Sequence, residues 1–138
     1  MVRIDVVYEG NLRTTATHAP SGAKLATDAP KDNEGLGETF SPTDLVATAL
    51  GTCMLTTMGI LAKRKGIRIE GSGVSVEKHM VADPLRRVGR LTVRFDLPAA
   101  LSADERKILE NAALTCPVHR SLRADVDIPV EFRYGGPA

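Results

Sequence analysis

The chain has 138 residues, enough for one domain with its own core and too few for two. Hydrophobic residues make up 43% and charged residues 25%, ordinary usage that excludes collagen-like, low-complexity and disordered classes. A formal charge of +1, 4% aromatics without Trp, and only two cysteines point away from a polyanionic partner or anionic membrane, a stacking platform for nucleic acid, and a disulfide-stapled scaffold.

The N-terminal run VRIDVVY, residues 2–8, alternates as a strand does. Charges at Arg3, Asp5 and Glu9 near the N-terminus interrupt any signal-peptide core, so a cytoplasmic location is the expectation. Glu9-Gly10-Asn11 signals a turn, and Leu12 to His18 can run back as a hairpin partner. Pro20-Ser21-Gly22 is a second turn, leading to a third short strand near Lys24–Asp28. Residues 29–40, APKDNEGLGETF, read as an exposed loop.

Ser41-Pro42-Thr43-Asp44 is a strong helix start, with a capping serine, a proline suited to the first helical position and an acid in the first turn. The helix should run to about Lys65, where Lys63, Arg64 and Lys65 complement its negative end and Gly66 can stop it. At 1.5 Å per residue that is roughly 35 Å. Leu45 to Ala62 carries no charge, long enough to raise a membrane question. Its threonines and Gly51 and Gly59 dilute the hydrophobicity, so a central helix of a soluble protein is the expectation. One small domain cannot readily cover every face of such a helix, and a second subunit would.

Two β-rich runs follow, 67–81 and 87–97, read as an antiparallel pair with bends around Ala82-Asp83-Pro84. Arg86, Arg87, Arg90 and Arg94 form a basic cluster there, expected to be a solvated turn and strand face. Ser102-Ala103-Asp104-Glu105 matches a capping box for a helix over about 103–115. Pro117 opens a short helix, 117–123, with Cys116 at its cap, and a last strand covers 127–134. No repeat or linker divides the chain, so one domain over 1–138 is expected. Grouped strands with a long helix between them indicate an α+β fold.

Cys53 lies mid-helix, whereas Cys116 opens a helix whose N-terminal partial charge favours thiolate. Nothing local activates Cys53; a tertiary partner such as an arginine would be needed. Free cysteines also simply fill space in cores, and that reading stays open. Cys116-Pro117-Val118-His119 has ligand-like spacing, with Cys53, His18 and His79 to complete a zinc set, but the candidates are scattered and no Cys-x-x-Cys pair exists. No phosphate-binding glycine fingerprint or nucleophile elbow occurs.

The segments FSPTDLVATALGTC, residues 40–53, and TCPVHRSL, residues 115–122, together with YEGNLR, residues 8–13, resemble the OsmC/Ohr family of thiol peroxidases, nearest its general OsmC-like branch. The resemblance implies an intertwined homodimer, long central helices wrapped by antiparallel sheets, with sites at the subunit interface. It implies that Cys53 attacks an organic or fatty-acid hydroperoxide, becomes a sulfenic acid and condenses with Cys116. A dithiol reductant, in some members lipoyl-type, then resets the pair. No cofactor or metal is implied. Arg13 is the match to the family's active-site arginine; a surface strand residue is the alternative. Where the best-studied members carry a glutamate after the helix-start proline, this chain has Thr43. Asp44, about 100° further around the helix, and Glu38 are the carboxylates that could support Arg13 instead. His119 could tune Cys116 or accept a proton, or be a surface residue. Met54, Met58 and Phe40 could line an apolar pocket or belong to the core. The alternative function is a small-ligand or lipid-binding protein on the same fold, with little turnover.

Overall fold

The computed structural model describes residues 1–135. The chain forms two compact units, residues 1–46 and 47–138.

In the first unit, β1 (Ile4–Gly10), β2 (Arg13–His18) and β3 (Lys24–Asp28) form an antiparallel sheet in that order. The β1–β2 turn uses left-handed backbone at Gly10, Asn11 and Leu12, with φ of 88°, 53° and 64°. Glycine and asparagine adopt this region with least strain, which is why the turn signal sits there. The β2–β3 turn closes with the His18 N–H donating to the Ala23 carbonyl at 2.8 Å. Counting outward from that bond sets Arg13 directly opposite Asp28. The loop after β3 folds back on itself: Gly37 N–H donates to Ala29 O at 3.1 Å, and Asp28 N–H to Phe40 O at 3.1 Å. Gly35 is obligatory in this loop, because a Cβ there would lie 1.8 Å from the Ala29 carbonyl oxygen.

Helix α1 spans Pro42–Lys65, within the predicted bounds. Its start is a reciprocal cap: the Ser41 N–H donates to the Asp44 carboxylate at 2.8 Å, and the Asp44 N–H to the Ser41 hydroxyl at 3.1 Å. Gly66 ends it at a φ of 69°. In the second unit, α1 buries Ala47, Leu50, Gly51, Met54, Met58 and Ala62 along one face. The glycine lets helix and sheet approach: a Cβ on Gly51 would stand 2.9 Å from a Val76 methyl.

That sheet comprises β4 (Gly73–Val81), β5 (Arg87–Leu97) and β6 (Val130–Tyr134). Leu91, Val93, Phe95 and Leu97 alternate into the core. Phe95 stacks on Phe132 with centroids 5.0 Å apart. The expected strand over 67–81 starts only at Gly73, because residues 69–72 turn with Gly71 at a φ of 85°.

The expectation of antiparallel sheets meets one exception, since β6 runs parallel to β5. Helices α2 (Ala103–Leu114) and α3 (Pro117–Ser121) form the crossover between them, and a crossover of that length returns the chain in the same direction. The predicted capping box of Ser102 and Glu105 is present. The final strand starts at Val130 rather than 127, after Pro129, which offers no N–H to the ladder. The basic cluster is matched by carboxylates: Arg90 with Asp127 at 2.9 Å, Arg94 with Glu77 on the neighbouring strand at 2.9 Å, and Arg87 with Asp125 in the turn before β6 at 3.7 Å.

Candidate functional site

The sequence-predicted residues gather in two groups, one in each unit. In the second unit, α1 delivers Cys53 and the α2–α3 break delivers Cys116. Both are free; Cys53 is half-buried and Cys116 fully buried. The Cys53 side chain lies near enough to the Cys116 thiol to act on it electrostatically. A long helix and a distant cap thus bring together two sulfurs far apart in sequence, one reachable from solvent and one shielded.

Cys116 is the N-cap of α3, and its Sγ accepts the His119 N–H at 3.3 Å. The sequence predicts a thiol tuned toward thiolate at this position. The structure corrects that: burial pushes the Cys116 thiol up, the adjacent Cys53 pushes it further, and the His119 N–H only partly opposes them. A helix of five residues offers little dipole against complete desolvation. His119 meets Cys116 through its backbone N–H. Met54 and Met58 are fully buried core residues, whereas Phe40 is exposed.

In the first unit, Arg13 opens β2 with its side chain partly exposed. Its Nη2 donates to Glu38 Oε2 at 2.7 Å and lies 3.5 Å from Asp28 Oδ2. Glu38 is therefore the predicted carboxylate that reaches the arginine, from the loop between β3 and α1. Asp44, the other predicted candidate, caps α1, and Thr43 contacts the Ser41 hydroxyl at 3.2 Å. A cavity of about 660 Å³ opens beside this group, bordered by Asn11, Leu12, Arg13, Leu36 and Glu38.

Sequence reasoning missed Asp28. It is fully buried, and its Oδ2 also accepts the Glu38 N–H at 3.0 Å. That hydrogen bond first, then the Arg13 guanidinium, holds its carboxyl below the usual carboxylate range despite burial. The signal was available, because hairpin counting from the His18–Ala23 turn pairs position 13 with position 28. Among the described residues, no three His, Cys, Asp or Glu side chains form a metal-ligating group.

Residues 35–131 match the family model described as OsmC-like protein. A solved structure from Psychrobacter arcticus, described as an osmotic stress induced and detoxification response protein, is 45% identical with a TM-score of 0.91, over 96% of each chain. The organic hydroperoxide resistance protein OhrB of Bacillus subtilis shares the fold at 20% identity and a TM-score of 0.71, over 96% of this chain and 98% of that one. A curated relative, an uncharacterized protein of Acinetobacter baylyi, is 24% identical over 135 residues, 92% of this chain and 94% of its own. With its two-sheet α+β architecture matched over 96% of the chain and most of its length covered by the family model, the chain belongs to the OsmC-like protein family.

Proposed function

We propose that this protein is a thiol-dependent peroxidase that reduces organic hydroperoxides to alcohols. The carrying observation is that half-buried Cys53 neighbours the buried Cys116, whose thiol burial pushes up. The Cys53 thiolate attacks the terminal peroxide oxygen and the O–O bond breaks. Sulfur is oxidised to sulfenic acid, and the alkoxide leaves and takes a proton to become the alcohol. The Cys116 sulfur then attacks the sulfenic sulfur. A disulfide forms, the S–OH bond breaks, and water departs with the Cys116 proton. A dithiol of lipoyl type returns both thiols by exchange. Arg13 is assigned the developing negative charge on the leaving oxygen, with Glu38 steadying it. His119 contributes its N–H to the cap of Cys116.

The working form we propose is a cytoplasmic homodimer. Ile4, Val6, Val7 and Tyr8 on β1 are each more than half exposed, a pattern that a second copy would cover. The hydroperoxide name carried by OhrB, a fold neighbour, agrees in direction with this reading. A second reading, small-ligand or lipid binding without turnover, draws on the cavity beside Arg13.

Reduced protein mixed with one equivalent of cumene hydroperoxide separates the two. The peroxidase loses two hydrogens in intact mass and both free thiols within seconds. Cys53→Ser abolishes this, while Cys116→Ser stops at the sulfenic acid, gaining one oxygen. Thiols that survive minutes of exposure would overturn the peroxidase and leave the binding reading.

A further inference from the structure

Arg13 is held by two carboxylates in different surroundings. Glu38 sits on a loop with its side chain 58% exposed, whereas that of Asp28 is 0% exposed. A contact in water is weakened by screening and side-chain freedom; one made from a fixed, desolvated carboxylate is not. Asp28 belongs to a strand, stands opposite Arg13 in register, and is tied by its own N–H to Phe40 O. Its Oδ2 serves the Arg13 guanidinium and the Glu38 N–H together. The same oxygen thus fixes the cation and the peptide that carries the second carboxylate. Its other oxygen, Oδ1, is buried without a hydrogen-bond partner among the described residues. A buried acceptor with spare capacity beside a five-donor guanidinium can receive a second N–H.

We propose that Asp28 is the positioning residue of this site: its buried carboxylate fixes the Arg13 guanidinium directly, and holds Glu38 through the backbone. Asp28 touches no reacting atom in this role and acts through Arg13. As a consequence for activity, this rests on the peroxidase reading above; as a statement about Arg13, it does not.

The test uses Asp28→Asn, which keeps an acceptor for the Glu38 N–H and removes the charge. In stopped-flow oxidation by cumene hydroperoxide, Asp28→Asn should slow thiol loss about tenfold or more. In an Arg13→Gln background, the same change should cost less than about twofold, since the residue it acts through is gone. Equal losses in both backgrounds, or no loss in either, would overturn the proposal. A second readout needs no catalysis: nitrogen-15 NMR of guanidinium rotation at Arg13 in Glu38→Gln. Rotation that stays restricted supports Asp28 as the anchor. Rotation as free as that of an exposed arginine means Glu38 alone held it, and overturns the proposal. This arm decides the matter if Asp28→Asn does not fold. If wild-type thiols ignore peroxide, the peroxidase reading falls and the NMR result still judges Asp28.

Discussion

At Cys116 opposing influences meet on one sulfur. The helix cap donates an N–H that favours charge, while burial and the neighbouring Cys53 favour the neutral thiol and prevail. In the proposed chemistry the neutral Cys116 thiol gives up its proton as its sulfur attacks, and that proton leaves with water. The raised value also has a sign in stability. An unfolded thiol ionises near about pH 8.5, before the folded one does. The contribution of Cys116 is therefore complete below that pH and is lost as pH rises through the folded value. Thermal melts of reduced wild type and Cys116→Ser between pH 7 and 10 check this. Wild type should be the more stable at pH 7, and its advantage should shrink above pH 9. A gap that stays constant would show that the Cys116 thiol has the same acidity folded and unfolded.

Between elements, the close approach of α1 to β4 depends on one absent methyl. Gly51→Ala would drive a Cβ to 2.9 Å from the Val76 methyl, on a branched side chain with little room to turn. Unfolding in urea should show a loss of about 1–3 kcal/mol. Val76→Ala in the same chain should recover part of it, so that the two changes are less than additive. Additive losses would place the glycine's role elsewhere. What the sequence disclosed and what it hid divide along the same line of local against distant. Ser41-Pro42, Gly66, Ser102 with Glu105, and Pro117 act within a turn of themselves, so both long helices fall within a residue of expectation. The direction of β6 depends on where a crossover lands, which no window of residues records. The pairing of Asp28 with Arg13 is legible in register, whereas its bond to the Glu38 N–H depends on how the loop over 29–40 folds back. The state of Cys116 was misread because its cap is local and its burial is not.

At the scale of the whole molecule, exposed apolar surface in each unit is what supports the proposed second copy. Helix α1 is long and apolar enough to cross a bilayer by length and composition, yet it buries only one face within this chain. Its exposed side, Thr48, Ala49, Thr52, Thr56 and Ile60, carries no charge over about three turns. Small residues and threonines allow close helix approach, which suits a partner helix. The exposed valines and Tyr8 of β1 add apolar area of the kind that obligate dimers bury. Thr52→Arg places a charge in the middle of that strip while leaving Cys53, Cys116 and Arg13 unchanged. Sedimentation velocity should give a dimer for wild type and a monomer for Thr52→Arg. Melting should become concentration-dependent for wild type, because association contributes to its stability. A wild-type monomer at micromolar concentration would overturn the proposed dimer.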